Sequence, residues 1–223
     1  LNLLTFLQTL VRVLLVWSAF YFTGYLVERT TGIKRFLPLL PREISGIIGM
    51  LPLALLLSSL GLLNRSVTPV VLFVLSIPGL LMILNGLKER LVDYRITFFD
   101  ASFFLFFLFI LLLSLTYASM PNIVFDDPLI TYAVQPDRWL NTGRIHWISE
   151  TAFSGFPLMY ELTAIWPASL SENRVDQLSV LQVFQILLLV IAVFRSLQIV
   201  GIRKKYRFPF AAIGLLCTMI FYW

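Results

Sequence analysis

Apolar residues in this chain come in long unbroken runs, and polar residues collect between the runs instead of alternating with them. A helix needs about 20 apolar residues to cross a bilayer core about 30 Å thick. Runs near that length cover Leu3–Val27, Ile44–Leu63, Val67–Leu87, Thr97–Ala118 and Asp176–Val200, and a shorter one reaches from Phe208 to Trp223. The pattern predicts an all-α protein: a polytopic transmembrane helical bundle with five spans and the start of a sixth. It divides the chain into residues 1–118 with four spans, 119–175 as a polar interruption, and 176–223 with the fifth span and the beginning of the next. Leu1 in place of Met, and a last run that stops without a flank, are what a fragment of a longer chain is expected to show. The first run is not a signal peptide by pattern. It has no basic leader, carries Arg12 inside it and is too long for a signal core.

Composition agrees with the pattern. Apolar residues make up 59% of the chain, 20 of them Phe, and the mean hydropathy is +0.88. Soluble domains hold about 45–50% apolar residues, so a soluble globule of this size could not hide the excess. The charges then orient the spans. Arg29, Lys34, Arg35 and Arg42, then Lys88, Arg90 and Arg95, then Arg203, Lys204, Lys205 and Arg207 fall in alternate connections, eleven of the 17 basic residues. By the positive-inside rule that face is cytoplasmic, which places residues 119–175 in the periplasm or an equivalent non-cytoplasmic space. The net charge of +5 is then mostly a topology signal, with some attraction to anionic membrane lipids. A nucleic-acid partner is excluded, since it would need a soluble basic face. The single cysteine, Cys217, lies in the last apolar run and reads as a packing residue. Asn64-Arg65-Ser66 matches a glycosylation sequon and reads as a chance match.

The polar interruption from Ser119 to Val175 is where chemistry is expected, because charge and irregular backbone must lie outside the hydrocarbon or line a wet cavity. Asp127 suits a helix N-cap and Pro128 the first turn after it. Leu129, Ile130, Ala133 and Leu140 then recur on one side while Asp137 and Arg138 point elsewhere, and Gly143 supplies a stop. This predicts an amphipathic interfacial helix from Pro128 to Gly143, kinked at Pro136, with an extended loop over Arg144–Gly155. Pro157–Trp166 is apolar but too short to span, and is expected to form an interfacial or re-entrant helix ending near Pro167.

These residues carry a resemblance. Asp126-Asp127-Pro128-Leu129, then Trp139-Leu140, then Gly143-Arg144-Ile145, then Phe156-Pro157-Leu158 with Glu161, resemble the first large outer loop of bacterial GT-C-fold glycosyltransferases. That pattern has an acidic residue after a span, a Trp-Leu-x-x-Gly surface helix, and a Phe-Pro-x-x-x-Glu segment before the next span. Thr131-Tyr132 stands where the family pattern has Tyr-His. The similarity covers Phe125 to Trp223, and the first four spans resemble the family only as hydrophobic segments.

The resemblance implies transfer of a sugar from a polyprenyl-phosphate carrier, the lipid-linked donor, to an acceptor on the non-cytoplasmic side. Such a reaction needs a carboxylate to take the acceptor's proton and cations to hold the departing phosphate. Asp126 and Asp127 are the candidates for the first role, and Arg138 and Arg144 for the second. Trp139, Tyr132 and Glu161 complete the expected substrate-binding set. Each has a structural competitor: Asp127 as a helix cap, the arginines as interfacial anchors, and Trp139, Trp147 and Trp166 as an aromatic belt. Glu161 sits in an apolar stretch and is expected to have a partner or face water. His146 is too isolated for a metal site, whereas a divalent cation between Asp126, Asp127 and the donor phosphate stays open. Two other readings also stand: a non-catalytic subunit whose Phe103–Phe107 run packs against neighbouring membrane subunits, and part of a transporter. Against transport, the spans before the loop hold few ionisable residues, chiefly Arg12 and Asp100.

The charge asymmetry makes one prediction. Cysteines introduced near Asp137 should react with a membrane-impermeant reagent added to intact cells, and cysteines near Lys204 should stay unlabelled. Labelling at Lys204 would invert the topology.

Overall fold

The structure is a computed structural model that describes residues 3–35, 37, 40–93, 105, 112, 134–146, 159–171, 180, 183–184, 188–189, 191–193 and 196–202. The described residues are mostly helical and contain no strand, only an isolated antiparallel bridge between Leu63 and Gly143. Three long helices come first: α1 (Leu3–Thr31), α2 (Arg42–Ser59) and α3 (Val67–Asp93). Two short ones follow, α4 (Val134–Thr142) and α5 (Met159–Ala168). All three long helices are long and apolar enough to cross a membrane, over Phe6–Thr31, Arg42–Ser59 and Val67–Gly86. The predicted spans at Thr97–Ala118 and Phe208–Trp223 lie outside the described residues, apart from helical positions at Leu105 and Leu112. Of Asp176–Val200, the described positions are helical up to Ile199.

Helix ends depart from the apolar runs for local reasons. Hydropathy stops at Val27, but the helix continues over Glu28–Thr31 because nothing there breaks it. Gly32 does, at φ 66°, with its N–H donating to the Glu28 carbonyl at 3.1 Å. α2 stops four residues before its apolar run does. Gly61 adopts φ 72°, and the Leu62 and Gly61 N–H groups close back onto the carbonyls of Leu57 and Ser58 at 2.8 and 3.0 Å. Asn64 then starts α3, its Oδ1 accepting from the N–H groups of Ser66 and Val67 at 3.0 and 2.9 Å. The side chain of the sequon match is thus spent on capping a helix.

α1 packs along both α2 and α3. In hydrocarbon, apolar surface gives helices little reason to associate, so close backbone approach and internal polar bonds carry the contact. Small residues allow that approach. A Cβ placed on Gly46 would lie 2.0 Å from the Phe20 carbonyl oxygen, and one on Gly79 would lie 1.9 Å from that of Ser18. Thr23 Oγ1 donates to the Ala19 carbonyl at 2.7 Å and lies 3.4 Å from Met50 Sδ. Phe184, from the segment near the end of the described chain, meets Trp17 and Phe20 edge to face at centroid distances of 5.7 and 4.9 Å. The opposite side of α3 exposes Val70, Phe73, Ile77, Leu81 and Leu84, an apolar stripe suited to lipid.

The α1–α2 connection closes with a polar network. Glu28 is buried and accepts from Arg42 Nε at 3.1 Å, with Lys34 Nζ at 3.2 Å. Arg42 Nη1 also donates to the Tyr21 hydroxyl at 2.7 Å, and its guanidinium lies 4.8 Å from the Tyr21 ring centre. Of the four basic residues in this connection, two are therefore committed to a buried carboxylate, whereas Arg29 and Arg35 are exposed.

Gly46→Ala should push α1 and α2 apart and cost about 1–3 kcal/mol, the usual penalty for overpacking. Gly86→Ala is the control: nothing lies within 4 Å of its added carbon, and exchanging Gly for Ala within a helix should gain up to ~1 kcal/mol. Thermal unfolding of both variants in detergent tests the pair, and equal loss in both would refute the close-approach account.

Candidate functional site

The arrangement at the far end of α2 depends on Arg65, in the turn between α2 and α3. Its Nη2 pairs with Asp137 Oδ1 of α4, and its Nε donates to Asn141 Oδ1 at 3.1 Å. Nη1 donates to the Ser171 carbonyl at 2.9 Å and lies 3.5 Å from that of Ala168, at the C-terminal end of α5. A helix C-terminus leaves carbonyls unpaired and carries partial negative charge, so a guanidinium fork is well matched to it. One side chain thus ties the α2–α3 turn to α4 and to the end of α5.

A second set of bonds presses the chain after α4 onto the same turn. Gly143 ends α4 at φ 77°, its N–H donating to the Trp139 carbonyl at 2.8 Å. Its carbonyl accepts from the Leu63 N–H at 3.3 Å, and a Cβ on Gly143 would lie 2.9 Å from the Gly61 carbonyl oxygen. Ile145 N–H donates to Ser58 Oγ at 2.7 Å, and Trp139 Nε1 donates to the His146 carbonyl at 2.9 Å.

This layer differs from the predicted amphipathic surface helix. Gln135, Pro136, Asp137, Trp139 and Leu140 are all buried, so α4 is covered on most of its circumference. Asp137, expected to point away from the apolar side, is buried because Arg65 neutralises it there. Pro136 falls in the first described turn, and the segment before it, on which the expected kink depends, lies outside the described residues. α5 extends one residue past Pro167 and packs against α1, α2, α3 and α4, so the short apolar segment is interior.

The expected site residues separate. Asp126, Asp127 and Tyr132 lie outside the described residues, as do Trp147 and the start of the predicted helix at Pro128. Arg138 is half-buried on α4, and Arg144 is exposed with its guanidinium beside Gly61. Trp139 and Trp166 are among the largest fully buried side chains, at 1% and 0% exposure, which makes both indoles parts of the core. Glu161 is buried, and its Oε2 has no hydrogen-bond partner among the described residues. Burial pushes its carboxyl above the ordinary glutamate range, against a smaller opposing effect of its backbone N–H. A raised pKa favours the protonated form of a buried acid, the form that is cheaper to bury. Such a group can donate or accept a hydrogen bond and can exchange a proton closer to neutral pH. Among the described residues no cluster of three His, Cys, Asp or Glu could hold a metal ion.

No motif or spacing in the sequence assigns Arg65 a role as a site organiser. Its signal was being the one basic residue in a short connection on the otherwise acidic face, opposite an Asp in the long loop.

A comparison with protein-family models finds no match, and comparisons with curated proteins and with solved structures find none either. The class that the fold defines is a mostly helical, membrane-associated protein with three helices able to cross a bilayer.

Arg65→Met and Asp137→Asn should each destabilise the protein, and a double-mutant cycle should return a coupling of roughly 1.5–3 kcal/mol, the range for hydrogen bonds to charged groups. Hydrogen exchange should show lost protection over residues 134–142 in both variants. Zero coupling would remove the clamp. A separate prediction follows from Glu161. A carboxyl with a raised folded pKa binds its proton more tightly when folded, so its contribution is complete below the unfolded pKa and is lost as pH rises through the folded one. Wild type should therefore lose stability over that window, and Glu161→Gln should flatten the profile and be more stable at neutral pH. Identical profiles for the two proteins would show that Glu161 does not titrate in that window.

Proposed function

We propose that this protein is an integral membrane glycosyltransferase of a bacterial inner membrane, moving a sugar from a polyprenyl-phosphate carrier to an acceptor on the non-cytoplasmic face. The observation that carries the reading is a buried, ionisable carboxyl, Glu161, whose Oε2 has no hydrogen-bond partner among the described residues, held in a layer that Arg65 fastens over the ends of apolar helices. A buried acid of this kind is costly and marks a functional site more often than a packing position. The motif resemblance from Asp126 to Glu161 and the basic connections on the opposite face support the same reading.

In this scheme the acceptor hydroxyl attacks the anomeric carbon while its proton passes to Asp126 or Asp127. The bond from that carbon to the phosphate oxygen breaks, and Arg138 and Arg144 hold the released phosphate. Tyr132 and Glu161 contact the sugar, and a divalent cation on the two aspartates would add charge to the phosphate clamp. Trp139 acts here as scaffold, because its ring is enclosed. The same burial favours the second reading, a non-catalytic subunit, since neither Trp139 nor Trp166 offers a ring face for stacking.

Asp126→Asn or Asp127→Asn in the full-length protein should slow transfer from a polyprenyl-phosphate sugar by ~10²-fold or more, the scale for losing a general base. Asn caps helices about as well as Asp, so stability should hold. Arg138→Lys and Arg144→Lys should weaken donor binding, because Lys keeps the charge but loses the two-bonded fork. Undiminished transfer in the double aspartate variant, or no donor binding by intact wild type, would favour the subunit.

A further inference from the structure

Shared partners draw the basic residues of the α1–α2 connection together. Tyr25 joins two of them: Arg29 Nη1 donates to its hydroxyl at 3.3 Å, and the Arg42 guanidinium lies 5.6 Å from its ring centre. Glu28, one turn further along α1, joins Arg42 to Lys34, with Nε at 3.1 Å and Nζ at 3.2 Å from its carboxylate oxygens. Lys34 Nζ also donates to the Leu40 carbonyl at 2.5 Å. The Arg35 side chain passes over the turn at Gly32, its Cδ 3.9 Å from where a Cβ on that glycine would lie. Arg29, Lys34 and Arg42 are thus one cluster at the end of α1, and Arg35 flanks it.

Charge does not balance in this cluster. From Glu28 to Glu43 the chain carries four basic residues against two acidic ones, and Glu43 is buried in the first turn of α2. Arg29 and Arg35 are exposed, so the positive excess faces outward. The depth is that of a lipid headgroup. α1 is apolar enough to cross a membrane over Phe6–Thr31, and its exposed positions change from Leu26 to Arg29 within one turn. Tyr21 and Tyr25, half-buried just before that change, are of the residue type that gathers at the membrane–water interface. A guanidinium at this level offers a planar fork that matches phosphate oxygens.

We infer that Arg29, Lys34, Arg35 and Arg42 form a binding site for the phosphate headgroup of an anionic phospholipid. Arg29 and Arg35 make the outward contact, and Lys34 and Arg42, anchored on Glu28, supply positive charge behind them. The positive-inside rule asks only for basic residues somewhere in the connection. Here Tyr25 and Glu28 hold the cations in place, so binding is saturable and depends on these side chains more than on total charge. A zwitterionic lipid brings its own cation and gains less. The site lies at the opposite end of α2 from Arg65 and is independent of the transferase reading.

Full-length protein in neutral detergent is titrated with phosphatidylglycerol, cardiolipin and phosphatidylcholine, with bound lipids counted by native mass spectrometry and stability read by thermal shift. A first anionic lipid should bind saturably and raise the Tm, and phosphatidylcholine should do neither. Arg29→Gln and Arg35→Gln should each weaken that first binding about fivefold, the effect of one basic residue near an anionic surface. Lys88→Gln removes the same charge from an exposed position near the end of α3 and should change it little. Both arginines are exposed, so the two variants should fold, and lipid selection by wild type is a separate readout. Equal weakening by Lys88→Gln would reduce the site to diffuse surface charge and overturn it. Equal retention of phosphatidylcholine, or no saturable binding of either anionic lipid, overturns it as well. A Tm rise of the same size with inorganic phosphate would make free phosphate the ligand and remove the lipid.

Discussion

The guanidinium of Arg65 is the constraint on which the described polar layer depends. It reaches a carboxylate and an amide on α4 and a carbonyl at the end of α5, three segments separated by long stretches of chain. A lysine could supply the charge, but it has a single nitrogen and no planar fork to span these acceptors together. With this tie in place, Gly143 can rest against Gly61, Trp139 can be enclosed, and α5 can sit among the long helices.

The two polar networks stand at opposite ends of α2, an 18-residue helix about 27 Å long. At one end Glu28 gathers Lys34, Arg42 and Ser45; at the other Arg65 gathers Asp137 and Asn141. Between them contact is made by glycine, threonine, methionine and aromatic side chains. That division is what a bilayer imposes. Polar side chains can be solvated or paired near the surfaces, whereas the middle must rely on backbone proximity and van der Waals packing. Each network holds a buried carboxylate, Glu28 or Asp137, that is tolerated there because its cation is also present. Loss of one member would therefore harm more than the pair itself contributes over two apolar residues.

Glu161 breaks this economy, since it is buried at the polar end without an ion partner among the described residues. Gln135, Thr68 and Trp166, on helices in contact with one another, also carry buried polar atoms without a partner among the described residues. A protein core built for stability alone would place apolar residues at these four positions, because each orphaned atom forfeits hydration.

Apolar run length alone placed α1, α2 and α3, because a helix in hydrocarbon must satisfy its backbone internally and so writes its span into about 20 consecutive residues. The stop at Gly143 was legible too, since glycine carries its own conformational signature. Burial of Asp137, Trp139 and Trp166 was not legible. Periodicity in the short segments assigned sides to side chains, but whether a side is covered depends on what another segment brings to it. Arg65 shows the reason most plainly. As a sequence position it was a lone charge in a seven-residue turn, and its bonds run to residues 72 to 106 positions away. The sequence alone determined which segments are apolar, where glycines end helices and which face is basic, because those are local properties. Tertiary structure decided which charges are paired, which indoles are enclosed and which acid is buried, because burial and partnership are properties of segments brought together.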